Sequence, residues 1–229
     1  MSKRRRLAIA IDGPSASGKS TTARAVARAL GYLYVDTGAM YRALAWKALK
    51  EGLLLSDEAG VSRFLGRTSI ECCPVEGSFG VVLDGRSLGA ELRAPEVGAM
   101  ASKVAALPEV RRWMVARQQE IARKGAGVVM EGRDIGTVVL PDADLKIYLD
   151  ASAEERTARR WREERAKGVS TEPARVEREI AERDRRDMTR EHSPLEKASG
   201  AVVIDTTRLS VEEQVQRVLE EVHRIAEET

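Results

Sequence analysis

Gly13-Pro-Ser-Ala-Ser-Gly-Lys-Ser20 is the stretch on which the reading of this chain turns. It fits G-x-x-x-x-G-K-[ST] at every fixed position, and the chemistry needs those residue types. Glycines let successive backbone N–H groups turn inward around a phosphate. Lys19 adds a point charge near the β- and γ-phosphates, and the Ser20 hydroxyl can ligate Mg²⁺. Upstream, Leu7-Ala-Ile-Ala-Ile11 reads as a buried strand. Downstream, Ala23, Val26, Ala27 and Leu30 recur at helical spacing, and Gly31 stands where a helix ends. A strand, a glycine loop and a helix open a parallel α/β sheet and aim a helix N-terminus at an anion. Gly13, Pro14, Ser15, Ala16, Ser17, Gly18, Lys19, Ser20 and Thr21 are therefore expected to hold ATP, with Ser20 as the Mg²⁺ ligand.

The pattern continues on both sides of the loop. Tyr32–Val35 reads as a second strand, followed by a helix from about Ala39 to Glu51 and a short one near Asp57–Leu65. Thr68–Leu88 changes character: Val81-Val-Leu83, Asp84-Gly85 and Arg86-Ser-Leu88 predict a hairpin, hence a small antiparallel insertion on the substrate side. Pro95–Lys124 reads as helical, with Pro108 at a first helical position. Gly127–Met130, Leu145–Leu149 and Ala201–Ile204 read as core strands. Ser152-Ala-Glu-Glu155 and Ser210-Val-Glu-Glu213 are capping boxes, and the last helix is expected to bury Val211, Val215, Val218, Val222 and Ile225. The expected fold is α/β, a P-loop NTPase-type parallel sheet flanked by helices, with a mostly antiparallel insertion and a short lid. Residues 1–66 and 93–229 would form the core, 156–172 the lid and 67–92 the inserted subdomain.

Composition excludes several classes. The net charge of +2 does not make the whole chain a magnet for nucleic acid. Arginine outnumbers lysine 29 to 9, and the arginines of residues 156–190 are interleaved with Glu and Asp. That pattern describes either a salt-bridged helix pair or a set of forks for phosphate. The chain has no Asn, which removes the Asn-Lys-x-Asp box that reads guanine, and only four Gln, a usage that hints at heat adaptation. With 229 residues there is little room for the modules of a motor. Cys72 and Cys73 are neighbours and read as two small residues in a strand. No apolar run reaches the ~18 residues of a membrane span. The basic start Met1–Arg6 is followed by no apolar region of signal-peptide type, so the cytoplasm is expected. A small-molecule kinase remains. Which acceptor it takes stays open, a different monophosphate or a hydroxy acid included; a non-catalytic ATP-binding switch is a rival, as is a nucleic-acid module, which the alternating acids and 4% aromatic content disfavour.

Such a kinase must hold two anions head to head, so cations should surround its site. Asp36-Thr-Gly-Ala-Met-Tyr-Arg42 and Glu131-Gly-Arg-Asp134 each leave the carboxyl end of a predicted strand, where ligands gather in open α/β sheets. Arg183, Asp187 and Arg190 are spaced i, i+4, i+7, which predicts one helix face.

With these segments the chain resembles bacterial cytidylate kinases over nearly its whole length. IDGPSASGKS, VDTGAMYRALA, ELRAPEVGAMASKVAALPEVR, VVMEGRDIGTVVLPDADLKIYLDA, ERDRRDMTR and VVIDTT carry the likeness. The resemblance implies transfer of the γ-phosphoryl group of ATP to CMP or dCMP, with Lys19, Arg133 and Arg190 in the catalytic charge network. It implies that Thr37, Arg42, Arg133 and Arg190 contact the monophosphate, with Asp36 beside them. Ser102, Arg111 and Asp134 would read cytosine, and Arg183 and Asp187 the ribose. One or two of Arg156, Arg159, Arg160 and Arg165 would close over ATP. The 67–92 insertion corresponds to the family's enlarged monophosphate-binding region. A monomer with no nucleic-acid or membrane partner is expected. Family phosphate loops often carry another glycine where Ala16 stands, and Thr37 is often Ser.

Overall fold

A computed structural model describes residues 6–75, 78–124 and 127–227. The basic residues before Arg6 lie outside the described residues. Contacts divide the chain into two units, one of Met1–Tyr34 with Gly127–Thr229 and the other of Val35–Ala126.

The first unit is built on β1 (Ala8–Asp12), whose Ile9, Ala10 and Ile11 are fully buried. Strands β2 (Leu33–Asp36), β6 (Val128–Gly132), β7 (Leu145–Asp150) and β8 (Val202–Asp205) complete a five-stranded sheet in the order β2-β6-β1-β7-β8. The β1–β6, β1–β7 and β7–β8 pairings are parallel. A strand covered on both faces needs no polar alternation, which is why β1 and β6 read as unbroken apolar runs. The order of strands reverses direction at β1, so the chain leaving its carboxyl end enters the crevice where such sheets bind ligands. Helix α1 (Lys19–Leu30) packs against β6 and against α8 (Val211–Glu227). Helices α6 (Ala153–Ala166) and α7 (Pro173–Thr189) pack on each other as a hairpin.

The second unit holds α2 (Thr37–Lys50), α3 (Glu58–Gly66), a three-stranded antiparallel sheet of β3 (Ile70–Val75), β4 (Ser78–Leu83) and β5 (Arg86–Leu88), a 3-10 turn at Ala90–Arg93, and helices α4 (Pro95–Val104) and α5 (Pro108–Lys124). The expected hairpin is present: Asp84 and Gly85 both have positive φ, at 50° and 78°, as a tight two-residue turn requires. Cys72 and Cys73 lie in β3, and burial with the charge of Asp36 pushes the Cys72 thiol up to about 12, so it is no nucleophile near neutrality. Lys47 is buried on the apolar face of α2. Its ammonium is held by Asp84 Oδ2 at 2.6 Å, Thr68 Oγ1 at 2.8 Å and the Arg67 carbonyl at 3.2 Å, which ties the hairpin turn to the helix.

Pro108 opens a helix as its first-turn position predicts, so the helical stretch 95–124 is two helices. Two details differ from the sequence expectation. Val211 is 40% exposed, and the buried seam of α8 runs Gln214, Val218, Val222. Gln214 is drawn inward by the Thr22 hydroxyl, which donates to its Oε1 at 2.8 Å. Of the two capping boxes, only that at Ser210 is reciprocal. The Glu213 amide donates to Ser210 Oγ at 3.2 Å and the Ser210 amide to Glu213 Oε2 at 2.7 Å. At Ser152 the hydroxyl caps Glu155, but the Ser152 amide turns to Thr207 Oγ1 and the Glu155 carboxylate to Arg159. Ser210→Ala should therefore cost about 1 kcal/mol of stability, read from urea denaturation, with the α8 end fraying first in hydrogen exchange.

Candidate functional site

The phosphate loop runs from Gly13 to the start of α1. A side chain at Gly13, φ 150°, would run into the Leu149 carbonyl of β7, so the loop leaves β1 only because no Cβ is there. At Gly18, φ 95°, a Cβ would come within 2.7 Å of Gln214 Oε1. Ala16 has φ 60°, a left-handed conformation that an L side chain resists and glycine adopts freely. Pro14 and Ser17 are buried, Ser15 is half-buried, and Ser20 and Thr21 are exposed on the first turn of α1.

Lys19 is only 5% exposed. Its ammonium folds back onto the loop, donating to the Pro14 carbonyl at 2.5 Å and approaching Ser17 Oγ at 3.3 Å. Burial, then the charges of Arg133 and Arg183, pull its pKa down to about 7, against the opposing pull of Glu131 and Asp12. Asp12, buried at the end of β1, is pushed up to about 6 by desolvation, even though its carboxylate accepts the amides of Ile135 and Gly136 at 2.9 and 2.7 Å. Buried Glu131 accepts the Tyr34 hydroxyl at 2.9 Å.

Arg133 and Asp134 follow β6, beside the loop. Arg133 Nε donates to Asp187 Oδ2 at 2.8 Å. Burial works to raise the Asp187 pKa, but Arg133, then Arg183 and Arg190, outweigh it and hold the carboxyl below its usual value. Arg190 lies within 3.6 Å of Asp134 Oδ1 and 3.9 Å of Asp187 Oδ1. It does not share the helix face expected for it. Helix α7 ends at Thr189, and Arg190 is extended, with φ −66° and ψ 141°, so its side chain turns back while its Nε donates to the Ser193 carbonyl. The fold thus brings Lys19, Arg133, Asp134, Asp187 and Arg190 into one charge network, and Arg183 acts on it from an exposed position on α7.

Asp12, Asp184 and Thr206 have no role in the sequence reading; Asp12 holds the Ile135–Gly136 turn, and the other two grip the loop. Asp184 Oδ1 accepts the Ser15 amide at 2.9 Å and pairs with Arg156, which also donates to the Ser15 carbonyl at 3.1 Å. Thr206 Oγ1 donates to the Ser17 carbonyl at 3.0 Å and receives Arg159 Nη1 at 2.9 Å. Arg160 pairs with Glu163 and Glu164, and Arg165 lies 4.8 Å over the Trp161 ring. Asp12, Asp184 and Thr206 all fall in segments that carry the family likeness, IDGPSASGKS, ERDRRDMTR and VVIDTT, but no local pattern there assigns them a contact.

The remaining expected residues lie in the second unit. Asp36 caps α2, accepting the Ala39 amide at 2.7 Å, and pairs with Arg42 at 3.1 Å. Thr37 is buried on the first turn of α2. Arg111, buried on α5, lies 5.7 Å over the Tyr41 ring and donates to the Ala105 carbonyl at 3.3 Å. Ser102 is half-buried on α4.

Two outcomes follow from the loop. With Lys19 near pKa 7 in the free protein, its amine is mostly neutral at pH 8, and a bound polyphosphate restores the charge. Triphosphate binding at pH 8 should thus take up about one proton, measured by calorimetry in buffers of different ionisation enthalpy, and Lys19→Met should abolish the uptake. Relief of the Ala16 conformation in Ala16→Gly should stabilise the protein by about 0.5–1 kcal/mol in thermal denaturation.

The family model described as cytidylate kinase matches residues 9–224. The cytidylate kinase of Carboxydothermus hydrogenoformans is 48% identical over 216 residues, 94% of this chain and 97% of that protein. That of Geobacillus kaustophilus is 50% identical over 217 residues, 95% of this chain and 96% of that protein. A solved structure of an uncharacterised protein from Eubacterium ventriosum aligns with a TM-score of 0.53 at 11% identity, covering 95% of this chain and 99% of that one, a likeness of fold alone. A match over nearly the whole length, spanning the phosphate loop and the Arg133–Asp134 and Arg183–Arg190 segments, means that this chain belongs to the cytidylate kinase family.

Proposed function

We propose that this protein transfers the γ-phosphoryl group of ATP to CMP or dCMP, giving ADP and CDP or dCDP. The observation that carries the reading is the family match over residues 9–224. Transfer is direct and in line, an oxygen of the acceptor phosphate attacking the γ-phosphorus. That oxygen is already ionised near neutral pH, so no strong general base is needed. Catalysis then rests on positioning and on neutralising charge.

The loop amides and Lys19 hold the donor phosphates. Arg133 and Arg190, with Thr37 and Arg42, hold the acceptor phosphate, and Asp36 orients Arg42. Asp187 and Arg183 take the ribose. Asp134 accepts the cytosine amino group, where uracil would offer a repelling carbonyl, and Ser102 and Arg111 complete the base contact. Of the lid arginines, Arg156 and Arg159 are proposed to follow the donor phosphates. In support, both are bonded to groups that hold the loop, whereas Arg160 and Arg165 are engaged within α6. Residues 67–92 are proposed to act as part of the monophosphate-binding region.

Mg²⁺ suits the donor set, since an exposed hydroxyl oxygen at the head of α1 is a hard ligand beside a triphosphate. Ser20 would hold it, and it would supply further charge neutralisation on the phosphates.

Among the described residues no helix is long and apolar enough to cross a membrane. The protein is proposed to act in the cytoplasm as a monomer and not to bind nucleic acid. In support of the last point, arginines of α6 and α7 are paired with acids, as in Arg159–Glu155, Arg160–Glu164 and Arg175–Glu179.

An ADP-release assay with Mg-ATP and CMP, dCMP, UMP or AMP tests the reading. Activity is expected with CMP and dCMP and weak turnover with the others. Preference for another acceptor would overturn the substrate, and ATP binding without turnover would favour a switch. Lys19→Ala and Arg133→Ala should each lower kcat by about 100-fold or more.

A further inference from the structure

Asp12 is the last residue of β1 and stands outside the phosphate-loop motif, yet it is 3% exposed and fully engaged. One carboxylate oxygen accepts the Ile135 amide at 2.9 Å and the other the Gly136 amide at 2.7 Å. These amides open a wide turn, in which the amides of Val139 and Leu140 bond five residues back to the Asp134 and Ile135 carbonyls. The register of the sheet sets Asp12 opposite Gly132, where β6 ends. Arg133 and Asp134 are therefore spanned by two anchors, Gly132 in the sheet and Ile135–Gly136 on Asp12. The seat is tight: a Cβ on Gly136 would meet Ala198 Cβ at 3.1 Å and Asp12 Oδ2 at 3.4 Å.

We infer that Asp12 is a positioning residue for the transfer proposed above, its carboxylate holding the Arg133–Asp134 segment in register with the start of the phosphate loop. The inference rests on that functional reading. Two successive amides need two acceptor atoms at a fixed spacing, which a carboxylate supplies and an amide side chain does not, because its NH₂ would face an N–H. Gly13 begins the loop directly after Asp12, so one residue joins the donor cradle to the acceptor-side charges. A water or a main-chain carbonyl could satisfy the same amides without the burial that pushes this carboxyl up to about 6, but neither would make that covalent link to the loop.

The test is steady-state kinetics of full-length Asp12→Asn and Gly136→Ala beside the unaltered protein, with thermal denaturation of each. The first variant breaks the anchor from the side chain, and the second crowds it from the turn. In both, KM for CMP should rise about tenfold and kcat fall about tenfold, and in Gly136→Ala, which keeps the Asp12 charge beside Lys19, KM for ATP should change less than about twofold. Asp12→Asn combined with Arg133→Ala should cost clearly less than the two single changes added together, because the carboxylate acts in part through that arginine. A lowered melting temperature with both KM values and kcat per folded site unchanged, in either variant, would overturn the inference and leave a purely structural role. If the unaltered protein does not phosphorylate CMP, the functional reading itself falls, and this role with it.

Discussion

A lysine ammonium taken out of water must find anions or give up its charge, and the phosphate loop of this protein is organised around that constraint. Lys19 is buried behind Gly13 and Gly18, within the field of Arg133 and Arg183, with Asp12 and Glu131 as its buried counter-charges. Burial, with the charges of Arg133 and Arg183 added to it, outweighs the pull of the two acids, so the Lys19 proton is loosely held while its ammonium rests on the Pro14 carbonyl. A triphosphate supplies the missing negative charge. The free site is thus arranged for a ligand more anionic than the protein alone provides, which is the electrostatic requirement of phosphoryl transfer.

The other acids around the site have different work. Asp187 is held ionised by Arg133, and Asp184 ties Arg156 to the Ser15 amide. Each aligns a guanidinium that would otherwise repel its neighbours. Removing either acid would leave a half-buried arginine uncompensated, a costlier change than the loss of a surface pair. The interleaved Arg, Glu and Asp of α6 and α7 therefore divide into two groups. Outward pairs such as Arg175–Glu179 lace exposed helix faces, while Arg156–Asp184 and Arg133–Asp187 are half-buried or buried and bear on the loop.

A second buried lysine meets the same constraint differently. Lys47 finds its full complement within the protein, in Asp84, Thr68 and a backbone carbonyl, and no shortage of charge is left for a ligand. The contrast separates a structural cation from a binding one. Both are buried and lie on helices, and the surrounding acceptors tell them apart.

Much of this was legible in the sequence because it depends on local patterns. The strand–loop–helix opening, the Asp84–Gly85 turn, the alternation of strands and helices and the Ser210 capping box arise from residues within a few positions of one another. The vicinal cysteines likewise settled into a strand, as their size suggests. What was misread or missed lies at longer range. Arg190 was assigned to the face of α7 by spacing, but the helix stops before it and the side chain returns through the pull of Asp134 and Asp187. Val211 fits the apolar repeat of α8, yet Gln214 takes the buried place because Thr22, nearly two hundred positions away, offers it a hydrogen bond. By itself the sequence determined the fold class, the phosphate loop and the family, because motif and periodicity are properties of neighbouring residues. Only the tertiary structure decided which acids face which cations, and so which arginine joins the loop, which buried lysine holds its proton loosely and why Asp12 is buried, because Coulomb and hydrogen-bond energies depend on distances that the folded sheet sets and the linear order of residues does not.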